Sequence, residues 1–211
     1  MEMHKTIKLK TNKLISNKEN ISLHEDILDI LFKHKEEIHR NLIDLQGTLL
    51  IDHIAIKIID PNKRLVIFSI TPSVEYNIIV QGLWKHDKSF SLHFHDSNKF
   101  YSWEEAYSQS HFQTIKQVKE IKHGFTFGFN VFKKVDEFNL IYSYATRSKN
   151  NNLFDYYLSH INELYSLGDY SYRLIHNIYI KYCEPYWILP SMTGTQTSQS
   201  KPFLKLIINN K

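Results

Sequence analysis

Two pairs of β-branched, aromatic-rich runs, each doubled back over a polar turn, constrain this chain more than any other feature. Residues 49–59 are dominated by Leu and Ile, Asp60-Pro61-Asn62-Lys63 supplies a turn, and residues 65–70 return. The same arrangement recurs later, where residues 125–133 and 138–146 flank the charged turn Lys134-Val135-Asp136-Glu137. Branching at Cβ favours extended backbone, and a short polar turn joins antiparallel neighbours, so each pair reads as a hairpin.

Helical patterns lie around and between the hairpins. Ser22 followed by Glu25 reads as a capping box, after which Ile27, Leu28, Leu31, Ile38, Leu42 and Leu45 recur at helical spacing until Gly47. A short helix is expected over residues 74–80. A longer one is expected from Ser102 to Ile121, with Glu104 and Glu105 set against its N-terminal dipole. Two more are expected over residues 153–167 and 170–182, divided by Gly168-Asp169. The order α-β-β-α-α-β-β-α-α predicts an α+β fold, a three-layer α/β/α sandwich with a central antiparallel sheet of PAS or GAF type.

With 211 residues, 42% apolar and 14% aromatic, the chain can bury one good core, and a single domain is expected. The division reads as a flexible basic N-terminus (1–21), one sensor-like α+β domain (22–190), and a polar linker with a short apolar C-terminal segment (191–211). Lys and Arg total 26 against 22 Asp and Glu, and Lys5, Lys8, Lys10, Lys13 and Lys18 concentrate the excess at the N-terminus. No broad basic field argues for direct nucleic-acid binding. No apolar run is long enough for a membrane span or a secretory leader, and the single Cys183 suits a reducing compartment, so a cytoplasmic location is expected.

Between the hairpins lie Trp84-Lys85-His86-Asp87, Trp103-Glu104-Glu105 and Glu120-Ile121-Lys122-His123-Gly124-Phe125-Thr126, and the last strand ends Tyr142-Ser143-Tyr144-Ala145-Thr146. Their order resembles the ligand-binding half of the LuxR-type quorum-sensing regulators, over approximately residues 22–175. That resemblance implies an autoinducer-binding type of sensor domain. In it Asp87 would accept a hydrogen bond from a ligand amide, Trp103 would form the pocket wall, Gly124 would open the third strand, and Ser143 would reach the amide carbonyl. Glu75 and Ile79 stand where the family carries aromatic residues, and Trp84 or Tyr76 would supply aromatic surface instead. The stretch after Tyr182 is too short for the family's helix-turn-helix output domain, so the resemblance implies an isolated sensor half acting in trans.

Each of these residues also has a plainer use. Asp87 could cap a turn or pair with a neighbouring lysine, Trp84 and Trp103 could be simple core, and Ser143 qualifies only if its strand parity faces inward. His53 and the His93-Phe94-His95-Asp96 run lack a complete ligand set, so no metal site or cofactor is expected. No nucleophile motif or phosphate loop appears, so no catalytic residues are assigned and the protein is not expected to be an enzyme. Tyr156, Tyr157, Tyr165, Tyr170, Tyr172, Tyr179, Tyr182, Tyr186 and Trp187 suggest an interface for a protein partner or a homodimer. Two readings follow. One is a sensor for a small amphipathic or acyl ligand. The other is a sensor-derived protein-interaction scaffold, or a secreted bacterial effector, that no longer binds an acyl-lactone.

Overall fold

The computed structural model describes residues 21–182. Residues 1–20 of the segment expected to be a flexible N-terminus, the expected polar linker, the terminal apolar segment, Cys183, Tyr186 and Trp187 lie outside the described residues.

Six strands form one sheet in the order β1-β3-β2-β6-β5-β4. The hairpins expected from sequence are its centre: β2 (His53–Ile59) with β3 (Arg64–Ser69), and β5 (Phe127–Val135) with β6 (Phe138–Thr146). The hairpins join antiparallel through β2 and β6, with Ala55 opposite Ser143. Two short edge strands were not legible in the sequence: β1 (Ser22–Leu23), parallel to β3, and β4 (Phe100–Ser102), antiparallel to β5.

Strand alternation divides the side chains between two faces. Ile54, Ile56, Ile58, Val66, Phe68, Phe129, Val131, Tyr142 and Tyr144 point to the larger core, which is closed by α2 (Lys35–Leu42), α7 (Leu153–Ser159) and α8 (Ile161–Ile180). The opposite face carries His53, Ala55, Lys57, Ser69, Tyr101, Gly128, Asn130 and Ser143. It is covered by α3 (Pro72–Val80), the 83–97 segment with α4 (Phe94–Ser97), α5 (Trp103–Ala106) and α6 (Phe112–Lys119). Helices therefore flank the sheet on both sides. On this second face two apolar clusters, one around Ile59, Ile67 and Ile141 and one around Trp103, Phe125 and Val74, are separated by a polar belt.

Several expected elements differ. Ser22 does not cap a helix; it pairs with Arg64, and the first helix, α1, runs Ile27–Lys33. A single helix to Gly47 is broken at His34, because Ile27 and Leu31 pack into the β3-edge cluster while Ile38 and Leu42 pack under the opposite face. Leu49 and Leu50 take positive φ, so the first hairpin strand starts at His53. Ser102 does form a capping box with Glu105, but α5 ends after Ala106 because Tyr107 turns extended to bridge Asp87. The expected break at Gly168-Asp169 is absent and falls instead at His160. Gly168 is the contact point of α8 with the sheet: a Cβ there would lie 2.0 Å from the Tyr142 ring.

Candidate functional site

Asp87, Trp103 and Ser143 converge on the second face of the sheet, and a short-range capping interaction starts the assembly. The Asp87 carboxylate accepts from the Ser89 backbone N–H at 2.9 Å and so caps the turn that follows it. Its other oxygen accepts from Lys119 Nζ at 2.9 Å. Lys119 reaches inward from the last turn of α6, its ammonium 4.4 Å from the Trp103 ring centroid. Trp103 lies flat on β5 because residue 128 is glycine: a Cβ there would sit 2.2 Å from the indole. Its indole N–H is shared between Asn130 Oδ1 at 3.2 Å and Ser143 Oγ at 3.1 Å. Lys119 from α6 and the Trp103 indole N–H thus engage the Asp87 carboxylate and the Ser143 hydroxyl, the two groups that the sequence resemblance would direct at a ligand amide.

The other sequence candidates separate. Trp84 is half-buried on the rim of an open groove of about 440 Å³, lined by Ile21, Trp84, His86, Asp87, Phe90 and Ser108 with Lys85, Lys88 and Ser91. Tyr76 lies on the outward side of α3, 38% exposed and edge-on to Phe32, apart from this group. Gly124 takes a left-handed turn before β5, as its place ahead of the strand suggested.

Sequence reading missed the rest of the belt. Lys57 is 2% exposed in the middle of β2, and its ammonium stands 4.8 Å from the Phe90 ring centroid. No described residue gives it a hydrogen bond or an ion pair within 4.0 Å. Tyr101, Asn130, Ser143 and Ala55 are directly opposed across β4, β5, β6 and β2, with Lys57 next along the same face. The Tyr101 hydroxyl, Asn130 Nδ2, Ser89 Oγ and His95 Nδ1 are all buried without a hydrogen-bond partner among the described residues. His95 stacks on Phe132 with centroids 4.3 Å apart, and its Nε2 lies 2.9 Å from the Ser89 carbonyl. The legible signal was Lys57 itself, a charge set between Ile56 and Ile58 in a strand buried on both faces.

Burial and neighbouring charge set the protonation of the belt. Burial, then Lys119, lowers the Lys57 ammonium to about 8. Burial would raise Asp87, but Lys119 and Lys57 outweigh it and hold the carboxyl below its ordinary range. Burial would likewise raise Glu75, yet His53, whose Nε2 lies 3.6 Å away, prevails with Ser69 and Lys57. Burial lowers His95 to about 4 and raises the Tyr101 hydroxyl well above its usual value; the adjacent Asn130 amide opposes the latter but stands outside hydrogen-bond geometry.

His53 and the 93–96 run form no metal centre. His93 faces solvent while His95 is buried, and among the described residues no group of three His, Cys, Asp or Glu side chains is placed to hold an ion. No helix of the described residues is long and apolar enough to cross a membrane. The tyrosine series does not form one surface either: Tyr157, Tyr172 and Tyr179 enter the main core, Tyr156, Tyr165 and Tyr182 are half-buried against it, and Tyr170 is exposed.

A central sheet flanked by helices on both faces gives this chain the fold of a PAS-like sandwich. Among solved structures, SdiA of Escherichia coli is similar at 13% identity with a TM-score of 0.50, over 77% of this chain and 67% of that one. A second, SdiA in complex with octanoyl-rac-glycerol, is similar at 14% identity with a TM-score of 0.49, over 72% and 64%. The chain spans about two thirds of the length of these proteins. No protein-family model and no curated protein sequence matches the chain. The likeness to SdiA of Escherichia coli carries the fold alone.

Proposed function

We propose that this domain is a non-enzymatic small-molecule sensor of autoinducer-binding type, acting in trans through a protein partner or a second copy. The observation that carries the reading is the group of buried, unpartnered polar atoms between the sheet and the segment that covers it, those of Tyr101 and Asn130 on the strands and Ser89 and His95 above them. Leaving one such atom unsatisfied costs about 1–3 kcal/mol, and grouping several at one place is the mark of a site that receives a polar guest. The Trp84–Asp87–Phe90 groove is the entrance, since it borders the same segment that carries Asp87 and Ser89. Its size is that of sites for small organic ligands. Occupancy would reach α6 through the Asp87–Lys119 pair and so change the outer surface of the helical layer.

Native mass spectrometry of the purified protein, with solvent extraction of a denatured sample, tests this. A stoichiometric small molecule that is lost in Trp84→Ala and Ser143→Ala supports the sensor. A clean apo mass, with no thermal shift across a panel of acyl-lactones and acyl amides, favours the second reading. That reading is a sensor-derived interaction scaffold or secreted effector, and one specific observation supports it. The Asp87 carboxylate and the Ser143 hydroxyl, the groups with which the resembled family would hold an acyl amide, are already engaged internally, by Lys119 and by the Trp103 indole N–H.

A further inference from the structure

Resting on the sensor reading above, we propose that the ligand is an amphipathic carboxylate whose head group is received by Lys57, Tyr101 and Asn130 and whose apolar part lies along Trp84 and Phe90. The donors left over on this face are a phenolic O–H and an amide N–H₂, beside an ammonium that makes no hydrogen bond to a described residue, while the Asn130 carbonyl and the Asp87 oxygens already have partners. A site with spare donors and its acceptors engaged selects an acceptor-rich group, and a carboxylate offers two oxygens and the charge that a buried ammonium lacks.

The charge balance agrees. Lys119 is matched to Asp87, whereas Asp87 and Glu75 act on Lys57 only from a distance, and no carboxylate of the described residues lies within 4.0 Å of its ammonium. An unpaired buried cation is costly to keep, and its depressed ammonium pKa records that cost. The Phe90 ring borders both the groove and the Lys57 ammonium. At the mouth, Lys85 and Lys88 are exposed, which draws anions toward the entrance. Ile21, Trp84 and Phe90 supply apolar wall for a short chain or ring, and Trp84 and Phe90 meet edge-on with centroids 6.2 Å apart.

The probes are octanoate and, as its uncharged counterpart, 1-octanol, read by thermal shift and calorimetry at pH 7 on the full chain. Octanoate is expected to stabilise the protein by a few degrees, with 1-octanol at least tenfold weaker. Lys57→Met should raise the melting temperature of the unliganded protein, since it removes an unpaired buried charge, and should abolish the octanoate response. Tyr101→Phe, which deletes only an unpartnered hydroxyl, should fold normally and bind octanoate about tenfold more weakly. Calorimetry in buffers of different ionisation enthalpy should show proton uptake on binding near pH 8, as the carboxylate restores the Lys57 charge. An octanoate response that survives Lys57→Met, or equal responses to octanoate and 1-octanol, overturns the assignment of an anionic head. If a neutral acyl compound binds through Trp84 and Ser143 independently of Lys57, the carboxylate assignment fails while the sensor reading stands. If no ligand is carried or bound, both fail together. Destabilisation of the apo protein by Lys57→Met would show that the lysine is structural, and would also overturn the proposal.

Discussion

The Lys119 ammonium lies 2.9 Å from the Asp87 carboxylate, with the two side chains 4% and 0% exposed. This ion pair ties the last turn of α6 to the loop that roofs the sheet. It is almost wholly shielded from bulk water, so neither half can be removed alone without leaving a charge stranded.

Lys119→Met and Asp87→Asn are each expected to destabilise the fold by about 3–5 kcal/mol, the cost of stranding a buried charge. The double variant should lose less than the sum by about 2 kcal/mol, measured by urea denaturation as a double-mutant cycle. Strict additivity would show that the pair is not coupled.

Gly128→Ala places a methyl group within 2.2 Å of the Trp103 indole, against a ring confined between β5 and Lys119. A loss of about 3 kcal/mol is expected, with a shift in tryptophan fluorescence as the indole N–H leaves Asn130 and Ser143. Trp103→Leu in the same background should recover part of that loss. A neutral Gly128→Ala would mean that the indole can move aside freely.

Gly168→Ala separates local propensity from packing. In an exposed helix interior the substitution would stabilise by about 1 kcal/mol. Here the added carbon meets the Tyr142 ring at 2.0 Å, so destabilisation of about 2–3 kcal/mol is expected in thermal or urea unfolding. A raised melting temperature would refute the close α8–β6 contact.

The pH dependence of stability has two windows with assigned residues. His95 is held at about 4 in the folded protein against an ordinary 6.5, so between these values the unfolded chain binds the extra proton. Stability contributed by neutral His95 is therefore present above pH 6.5 and lost as pH falls toward 4, about 3 kcal/mol in all. Asp87 and Glu75, both held below their ordinary values, extend the loss at lower pH. Lys57 acts in the alkaline range: from about 8 upward the folded state releases a proton that the unfolded lysine keeps to 10.5, so stability rises with pH until the buried tyrosines oppose it near pH 10. Urea titrations of His95→Gln and Lys57→Met should flatten the acid and alkaline windows respectively. Unchanged pH profiles would assign the titrations elsewhere.

Much of the fold was legible because periodicity is local. Ile54, Ile56 and Ile58 alternate with a second set along one strand, and Asp60-Pro61-Asn62-Lys63 turns that strand back, so the β2–β3 hairpin needs no long-range information. The β5–β6 hairpin is legible for the same reason. The helix ends were not: His34 breaks one expected helix and Tyr107 another because the flanking residues answer to different cores or to the Asp87 bridge, neither of which is written in a local pattern. Asp87, Trp103 and Ser143 were placed together by family resemblance, and they do meet, through a chain of contacts in which Lys119 and Asn130 take part.

What the sequence by itself determined is two hairpins, helices on either side of them, and a set of polar residues set into apolar runs. Only the tertiary structure decided how those polar residues are matched. Strand register lines Tyr101, Asn130 and Ser143 into one row, and the pitch of α6 delivers Lys119 to Asp87, while Lys57 is left beside Phe90 without a close counter-ion. The chain neighbours of a lysine or an aspartate can signal that it is buried, but not which group it meets. Which one finds a partner depends on atoms dozens of residues away, because a buried charge is stabilised only by groups brought within hydrogen-bonding distance in three dimensions.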